Sequence, residues 1–529
     1  MNKVALVAAT LGLLLAAAAL VWSCGQAPDA EPTAAPSSRP EIRHVVLITI
    51  DTLRAESLPL HGNRRIATPQ LAELARNGIV FDQCLATSPW TRPSVVSMLT
   101  GLPPAIHDSV AREIEVETIL PASVRTLPES MRGAGYRTAG LGFNPFLAFS
   151  VNAKRGFQEY AFYPTRVKKS DGVYTDCNTN VLQSALDPAE QVGLENVIDG
   201  VNSTAYLTEL ARNWLAAHAR DRFFLWLHYF DPHSPWTPTH DTVSGMAVPG
   251  APADEGQYAQ WAVKLNEDVE GYLAAERALV AGKGSPADEK TVRELQPVLM
   301  RQRETLRALY EGEVVDVDRA VARVLEKLKA LGIYEQTLIV VSSDHGEEFW
   351  EHGRLEHGHA LYQELVRVPL IIKLPHFHAA RRIADRVSIL SIYPTILELC
   401  SVRLPPGGLP APSLAPRWED PGEPQRSSHF VLGSLMYGQP ATAVVFGDRK
   451  YIRGDSSGAE ELYDLRVDPA EKDSLIGRDP QTLERARRLL GDHAAWSRAF
   501  KRTLWSGEAP TTERNEKMRE LLRSHNYIR

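Results

Sequence analysis

His44-Val45-Val46-Leu47-Ile48-Thr49-Ile50, closed by Asp51, is the stretch on which the reading of the fold turns. Two later runs repeat its pattern: Phe223-Phe224-Leu225-Trp226-Leu227-His228-Tyr229-Phe230 before Asp231, and Leu338-Ile339-Val340-Val341-Ser342-Ser343 before Asp344. Short, nearly unbroken apolar runs predict strands buried on both faces, the habit of a parallel sheet under helices. In open α/β sheets ligands gather beyond the carboxyl ends of the strands. Carboxylates placed there by several strands predict a cluster of hard oxygen ligands for a divalent cation. The plainer alternative is three unrelated turn or capping aspartates.

Composition narrows the class. The 529 residues suffice for one large α/β domain and a smaller one, and 44% apolar with 23% charged residues is ordinary for a globular chain. A net charge of −7, with no basic stripe, argues against nucleic acid as the main partner. Four cysteines are too few for a disulfide scaffold, and the pairing of Cys84, Cys177 and Cys400 is left open by their spacing.

Cys24 belongs to a different pattern. Lys3, the apolar stretch Val4 to Trp22 and then Ser23-Cys24-Gly25 predict an export signal over residues 1–24. A cysteine at the cut resembles bacterial lipoproteins, which implies a lipid-anchored, extracytoplasmic protein of the cell envelope. An uncleaved N-terminal membrane anchor is the alternative. Residues 25–43, rich in Ala, Pro and Ser after Gly25, read as a flexible tether.

Along the chain, Thr68-Pro69 opens a helix with a hydroxyl cap and proline at its first position, and Leu71, Leu74 and Ala75 give it an apolar face. Val95, Val96, Met98 and Leu99, closed by Gly101, predict a short buried helix whose N-terminus carries Thr91, a place that favours an anion. A simple N-cap is the other reading of Thr91. Ser203 to His218 has helical spacing. Asp231 to about Pro297 is polar and reads as an irregular insertion over the site. Val314 through Leu331 is an amphipathic helix that delivers the strand ending at Asp344. A proline- and glycine-rich boundary near Arg403 separates residues 44–403 from residues 404–500, with a tail at 501–529; Phe430 to Leu435, Ala443 to Phe446 and Lys450 to Ile452 predict short antiparallel strands.

The densest chemistry is Asp344-His345-Gly346-Glu347-Glu348, His352-Gly353 and His357-Gly358-His359. An aspartate and a histidine leaving a strand end together suit zinc, manganese, magnesium or calcium. Asp231-Pro232-His233 repeats the pairing. With these pieces stand Ile50-Asp51-Thr52-Leu53-Arg54, Ser88-Pro89-Trp90-Thr91-Arg92-Pro93-Ser94 with Leu99-Thr100-Gly101, Arg367-Val368-Pro369, and Glu461-Leu462-Tyr463-Asp464-Leu465 with Asp468-Pro469. Together, in this order from His44 to about Gly477, they resemble the sulfatase family of the alkaline phosphatase superfamily.

That resemblance implies an α/β fold, a large mixed, mostly parallel sheet sandwiched by helices, with a small C-terminal antiparallel subdomain. It implies a hydrolase of phosphate or sulfate esters, with Thr91 in the nucleophile's place. Asp51, Thr91, Asp344 and His345 are then expected around one metal. His357, His233 and Asp231 are left for a second metal or for the substrate's oxyanion and leaving group, and Asn144 for a non-bridging oxygen. Zinc or manganese is expected ahead of calcium or magnesium, and the substrate is a small-molecule, glycan or lipid ester.

The departures from the family pattern carry as much as the matches. Sulfatases make formylglycine from Cys or Ser in C/S-x-P-x-R; here the window is Thr91-Arg92-Pro93-Ser94-Val95, and threonine cannot give the aldehyde. The family's second metal aspartate falls on Thr52, and its Gly-Lys-Trp-His segment is replaced by Gly142-Phe143-Asn144-Pro145. Loss of two cationic residues near the nucleophile removes sulfate-binding charge, and the histidines gained near Asp344 resemble the phosphodiesterase and phosphotransferase branch, which uses threonine directly on a two-metal site. A true sulfatase, an envelope phosphoryl transferase and an inactive ligand-binding relative are the alternatives.

Overall fold

The three aspartate-terminated runs are neighbouring, mutually parallel strands. In the computed structural model, His44–Ile50 lies between Phe223–Tyr229 and Thr337–Ser342, and Thr49 is level with both His228 and Ser342. The structure describes residues 41–110, 116–148, 150–163, 167–168, 174–175, 203–405, 409–419, 429–505 and 511. The export signal, Cys24, most of the tether, Cys177 and nearly all of the 501–529 tail beyond Trp505 lie outside these.

The main sheet has eight strands in the order Arg381–Ser388, Ile79–Leu85, Arg367–Lys373, Thr337–Ser342, His44–Ile50, Phe223–Tyr229, Arg137–Phe143, Glu159–Tyr163. Only Arg367–Lys373 runs antiparallel to its neighbours. Alternation along each central strand sends side chains to two cores. Val46, Ile48, Leu225, Leu227, Ile339 and Val341 pack with the helices Pro69–Arg76, Ser203–His218, Glu255–Val280 and Arg303–Ala330. Val45, Leu47, Phe224, Trp226, Leu338 and Val340 pack with Thr91–Thr100, Leu127–Gly133 and Ile392–Leu399. Burial on both faces is why the runs are apolar throughout. Truncating one such side chain, Ile48→Ala for example, costs about 2–5 kcal/mol.

Two local expectations change. The insertion after Asp231 is helical rather than irregular: His240–Met246, Glu255–Val280 and Pro286–Arg301. Tyr258, Ala262, Leu265, Val269, Tyr272 and Leu273 recur every three or four residues and are buried, while the charges between them face water. Asp254 caps the long helix by accepting from Gln257 N at 2.9 Å. At the helix Pro69–Arg76, Thr68 makes no side-chain cap bond. The carboxylate of Asp318 takes the free N–H groups of Gln70 (3.1 Å) and Leu71 (2.8 Å) instead.

A four-stranded antiparallel sheet, Phe430–Leu432, Ala441–Phe446, Arg449–Gly454 and Glu460–Asp464, follows. Leu432, Ala443 and Val445 on one face pack against Leu85, Leu361, Leu365 and Val366. The helix Pro480–Leu504 covers the other face through Ala486 and Leu490. From Ile42 onward the chain is one unit. Cys84 and Cys400 are buried free thiols. Among the described residues no helix is long and apolar enough to cross a membrane.

Candidate active site

Thr91 reaches the carboxyl end of the sheet through a pinned turn. Ser88 Oγ and Trp90 Nε1 donate to Ser434 O at 2.9 and 2.7 Å, and Ser94 Oγ donates to Ser88 O at 2.8 Å. The helix Thr91–Thr100 then starts, with Trp90 in the capping position and no side-chain cap. Thr91 is therefore the first helical residue and its hydroxyl is not spent on the helix. Its Oγ1 lies 3.3 Å from His345 Nε2 and 3.4 Å from Asn144 Nδ2. Arg92 is buried, donates to Val116 O at 3.3 Å, and holds its guanidinium over Trp90 and Phe146.

Asn144 ties nucleophile position to carboxylate. Its Nδ2 donates to Asp51 Oδ2 at 2.8 Å, while its Oδ1 accepts from Phe146 N at 2.8 Å and Leu147 N at 3.3 Å. The amide orientation is set by those two backbone donors.

Asp51 and Asp344 leave adjacent strands and are fully buried. Asp51 Oδ1 and Asp344 Oδ2 have no hydrogen-bond partner. They sit 3.4 and 3.6 Å from His345 Nε2. Burial and the Asp51 charge hold the Asp344 carboxyl well above the ordinary carboxylate range. Burial works against Asp51 too, but the hydrogen bond from His228 and the nearby imidazoles bring it below that range. Two buried carboxylates with bare oxygens facing one imidazole form a set that a cation completes.

Three imidazoles share one arrangement. His345 Nδ1 bonds Gly346 O (2.9 Å), His357 Nδ1 bonds Glu347 Oε1 (2.8 Å) and His233 Nδ1 bonds Ser234 O (2.7 Å). Each acceptor fixes the proton on Nδ1 and makes Nε2 the lone-pair nitrogen. The rings of His345 and His357 are 4.4 Å apart, and those of His233 and His357 4.9 Å. Burial, then the charges of His345, His233 and Arg277, hold His357 well below the ordinary imidazole range, and burial lowers His345. This backing of ring N–H groups by carboxylate and carbonyl oxygens is how metal-binding histidines are oriented.

Asp231 lies outside the tightest group of metal-capable atoms but interacts electrostatically with His233. Its carboxylate accepts from Ser203 Oγ at 3.1 Å, beside the start of the helix Ser203–His218, and burial raises its pKa. The strand before it sends His228 into the site instead. Among the described residues one metal-capable trio of His and carboxylate atoms lies within 4.8 Å of one another: Asp51, His228 and Asp344. His228 is hidden in sequence inside an apolar run, where its signal is a polar residue level with Thr49, just below Asp51. Glu347, which the sequence places in the patch after Asp344 without a role, is buried with Oε2 unpartnered. The inserted helix brings Arg277 to Glu356 and to 4.8 Å from the Tyr437 ring.

The donors fit a divalent cation. Asp51, Asp344, His345 and Thr91 would hold it, with His357 and His233 near enough to serve a second; the buried bare oxygens are the observation that carries the fit.

A mixed, mostly parallel sheet between helices, with buried carboxylates and histidines beyond its strand ends, is the arrangement expected of the alkaline phosphatase superfamily. Residues 43–402 match the sulfatase family model. The chain belongs to the sulfatase family. It is 24% identical to the N-acetylglucosamine-6-O-sulfatase of Bacteroides thetaiotaomicron, over 88% of this chain and 87% of that one. It is 25% identical to a multifunctional alkaline phosphatase superfamily protein of Trinickia caryophylli, over 83% and 92%. Its fold is similar to a solved structure of a protein in complex with its substrate D-glucosamine-2-N,6-O-disulfate (TM-score 0.64, 19% identity, 87% and 99% covered). It is also similar to the phosphonate monoester hydrolase of Agrobacterium radiobacter (TM-score 0.60, 18% identity, 89% and 100% covered).

Proposed function

We propose that this sulfatase-family hydrolase of sulfate or phosphate esters uses unmodified Thr91 as its nucleophile, and that phosphate esters are its better substrates. The observation that carries the reading is the Thr91 hydroxyl at a buried helix start, not used as a helix cap, 3.3 Å from His345 and close to the bare oxygens of Asp51 and Asp344. A threonine hydroxyl is a weak nucleophile at neutral pH. A divalent cation bound by these residues lowers the hydroxyl's pKa and offsets charge on the transferred group. The mixed oxygen and imidazole donors favour zinc or manganese over calcium, which prefers all-oxygen shells.

Asn144 holds Oγ1 in line. The Oγ1–phosphorus bond forms as the bond to the leaving oxygen breaks; the Thr91 hydroxyl proton passes to solvent water, and the leaving oxygen takes one up from solvent water. His233 and His357 add two lone-pair Nε2 atoms next to His345, suited to hold a second cation rather than to donate to the oxyanion. Water then cleaves the phosphothreonine. The preference for phosphorus follows from the second half: formylglycine has a second hydroxyl that expels sulfate, and threonine has none, so sulfothreonine would turn over slowly.

A sulfatase acting through unmodified threonine is the second reading, favoured by sulfatase names among the relatives; sulfated glycans would then be the substrates. Matched aryl phosphate, phosphodiester, phosphonate and sulfate esters, assayed with zinc, manganese, magnesium and calcium, separate the two. Clearly faster sulfate turnover would replace the first reading with the second. The Ser23-Cys24-Gly25 pattern supports export and lipid anchoring at the cell envelope.

A further inference from the structure

We infer that His228 is a positioning residue: it ends a buried hydrogen-bond relay, Trp226–Thr49–His228–Asp51, that occupies one oxygen of Asp51 and leaves the other for the cation. The inference rests on the metal-site reading above. Trp226, Thr49, His228 and Asp51 are all fully buried. Trp226 Nε1 can only donate, and it donates to Thr49 Oγ1 at 2.9 Å. The Thr49 proton then has two possible acceptors: His228 Nδ1 at 2.7 Å or Leu227 O at 3.4 Å. The shorter contact takes it. His228 Nδ1 is thus an acceptor, the ring carries its proton on Nε2, and Nε2–H donates to Asp51 Oδ2 at 3.3 Å.

The other tautomer would make His228 a ligand, consistent with its closeness to Asp51 and Asp344. It requires Thr49 to accept two bonds and send its own proton across 3.4 Å, so the donor form is favoured. Asn144 Nδ2 already bonds the same Oδ2 at 2.8 Å, so Oδ2 is saturated and Oδ1 is bare. Gly142 lets the neighbouring strand approach the backbone of His228 closely. A Cβ at Gly142 would lie 2.7 Å from His228 O and 3.0 Å from His228 Cβ. Where the family resemblance expects a second aspartate, Thr52 stands with φ of +53° and its hydroxyl unpartnered. An imidazole N–H thus backs Asp51 in a site with one carboxylate fewer, and Asp51 offers a single oxygen.

The test is cobalt(II) binding to the full-length purified protein, by calorimetric titration and by the visible spectrum of the bound ion. His228→Ala should weaken binding on the order of 10–100-fold, the usual effect of losing such a partner. His228→Gln places an amide N–H where Nε2–H was, and should recover most of the affinity with an unchanged spectrum. Thr49→Val keeps His228 but removes the hydroxyl, and should show part of the His228→Ala loss; it also serves if His228→Ala does not fold. Unchanged affinity in His228→Ala overturns the relay. So does a His228→Gln protein as weak as His228→Ala with a shifted spectrum, which makes the imidazole itself a ligand. Asp344→Asn is measured alongside: if it binds cobalt as wild type does, the metal site itself is misplaced and the relay is not the failing step.

Discussion

Gly346→Ala should damage the site through sterics alone. A Cβ there would lie 3.0 Å from the Glu364 carbonyl carbon and closer still to its oxygen, well inside contact distance. Reaching an ordinary carbon contact of about 3.5–4.0 Å requires a backbone shift of about 1 Å. The same segment is held by Gly346 N donating to Leu365 O (2.8 Å) and Glu347 N donating to Glu364 O (3.1 Å). Losing both bonds at about 1 kcal/mol each, with an overpacking strain of about 1–3 kcal/mol, gives a destabilisation of about 3–5 kcal/mol. Gly346 O also braces His345 Nδ1 at 2.9 Å, so the ring facing Thr91 moves with it. A misplacement of about 1 Å costs about 100-fold in rate. Urea denaturation and kcat on an aryl phosphate ester measure the two effects. Gly245→Ala is the control: nothing lies within 4 Å of its Cβ and it is helical, so stability should hold or rise by about 0.5–1 kcal/mol. If Gly346→Ala matches wild type in both stability and rate, the packing of this loop is not as described.

Other outcomes follow from the same geometry. Thr91→Ala should lose at least about a thousandfold in kcat, while Thr91→Ser stays within about a hundredfold; mass spectrometry of quenched enzyme should find the adduct on the Thr91 peptide, and near-full activity of the alanine variant would refute the nucleophile. Asp344→Asn and His345→Ala should lose bound metal and activity together, read by metal analysis, because metal-binding free energy here depends on those donors. Burial lowers the Lys373 pKa to about 8, where its ammonium donates to Tyr334 O at 2.7 Å. The folded state therefore binds fewer protons than the unfolded state above that pH, and stability rises with pH: about 2 kcal/mol between about pH 7.5 and about pH 9.5, a gain that Lys373→Met should lack in urea titrations. Cys24→Ser should move the protein from the membrane fraction to a soluble one, and retention on the membrane would favour an uncleaved anchor.

Three apolar runs, their terminal aspartates, Thr91 at a helix start and the histidine patch after Asp344 were legible in the sequence. Each is written in short-range terms: continuous hydrophobicity, a breaker, a side chain at the element's end. The small antiparallel sheet was legible for the same reason. The inserted helix Glu255–Val280 was not, because its apolar positions are diluted by charges that only exposure to water explains. Nor was the cap on Pro69–Arg76, since Asp318 is remote in sequence from the N–H groups it takes. Partners within the site were decided by tertiary structure. Strand register alone brings His228 level with Thr49 and under Asp51, while Asp231 accepts from Ser203, a partner remote in sequence. A one-residue slip in that pairing would turn His228 to the opposite face of the sheet. Residue types are local; which of their atoms are left bare is set by pairings hundreds of residues apart, and on those bare atoms the chemistry depends.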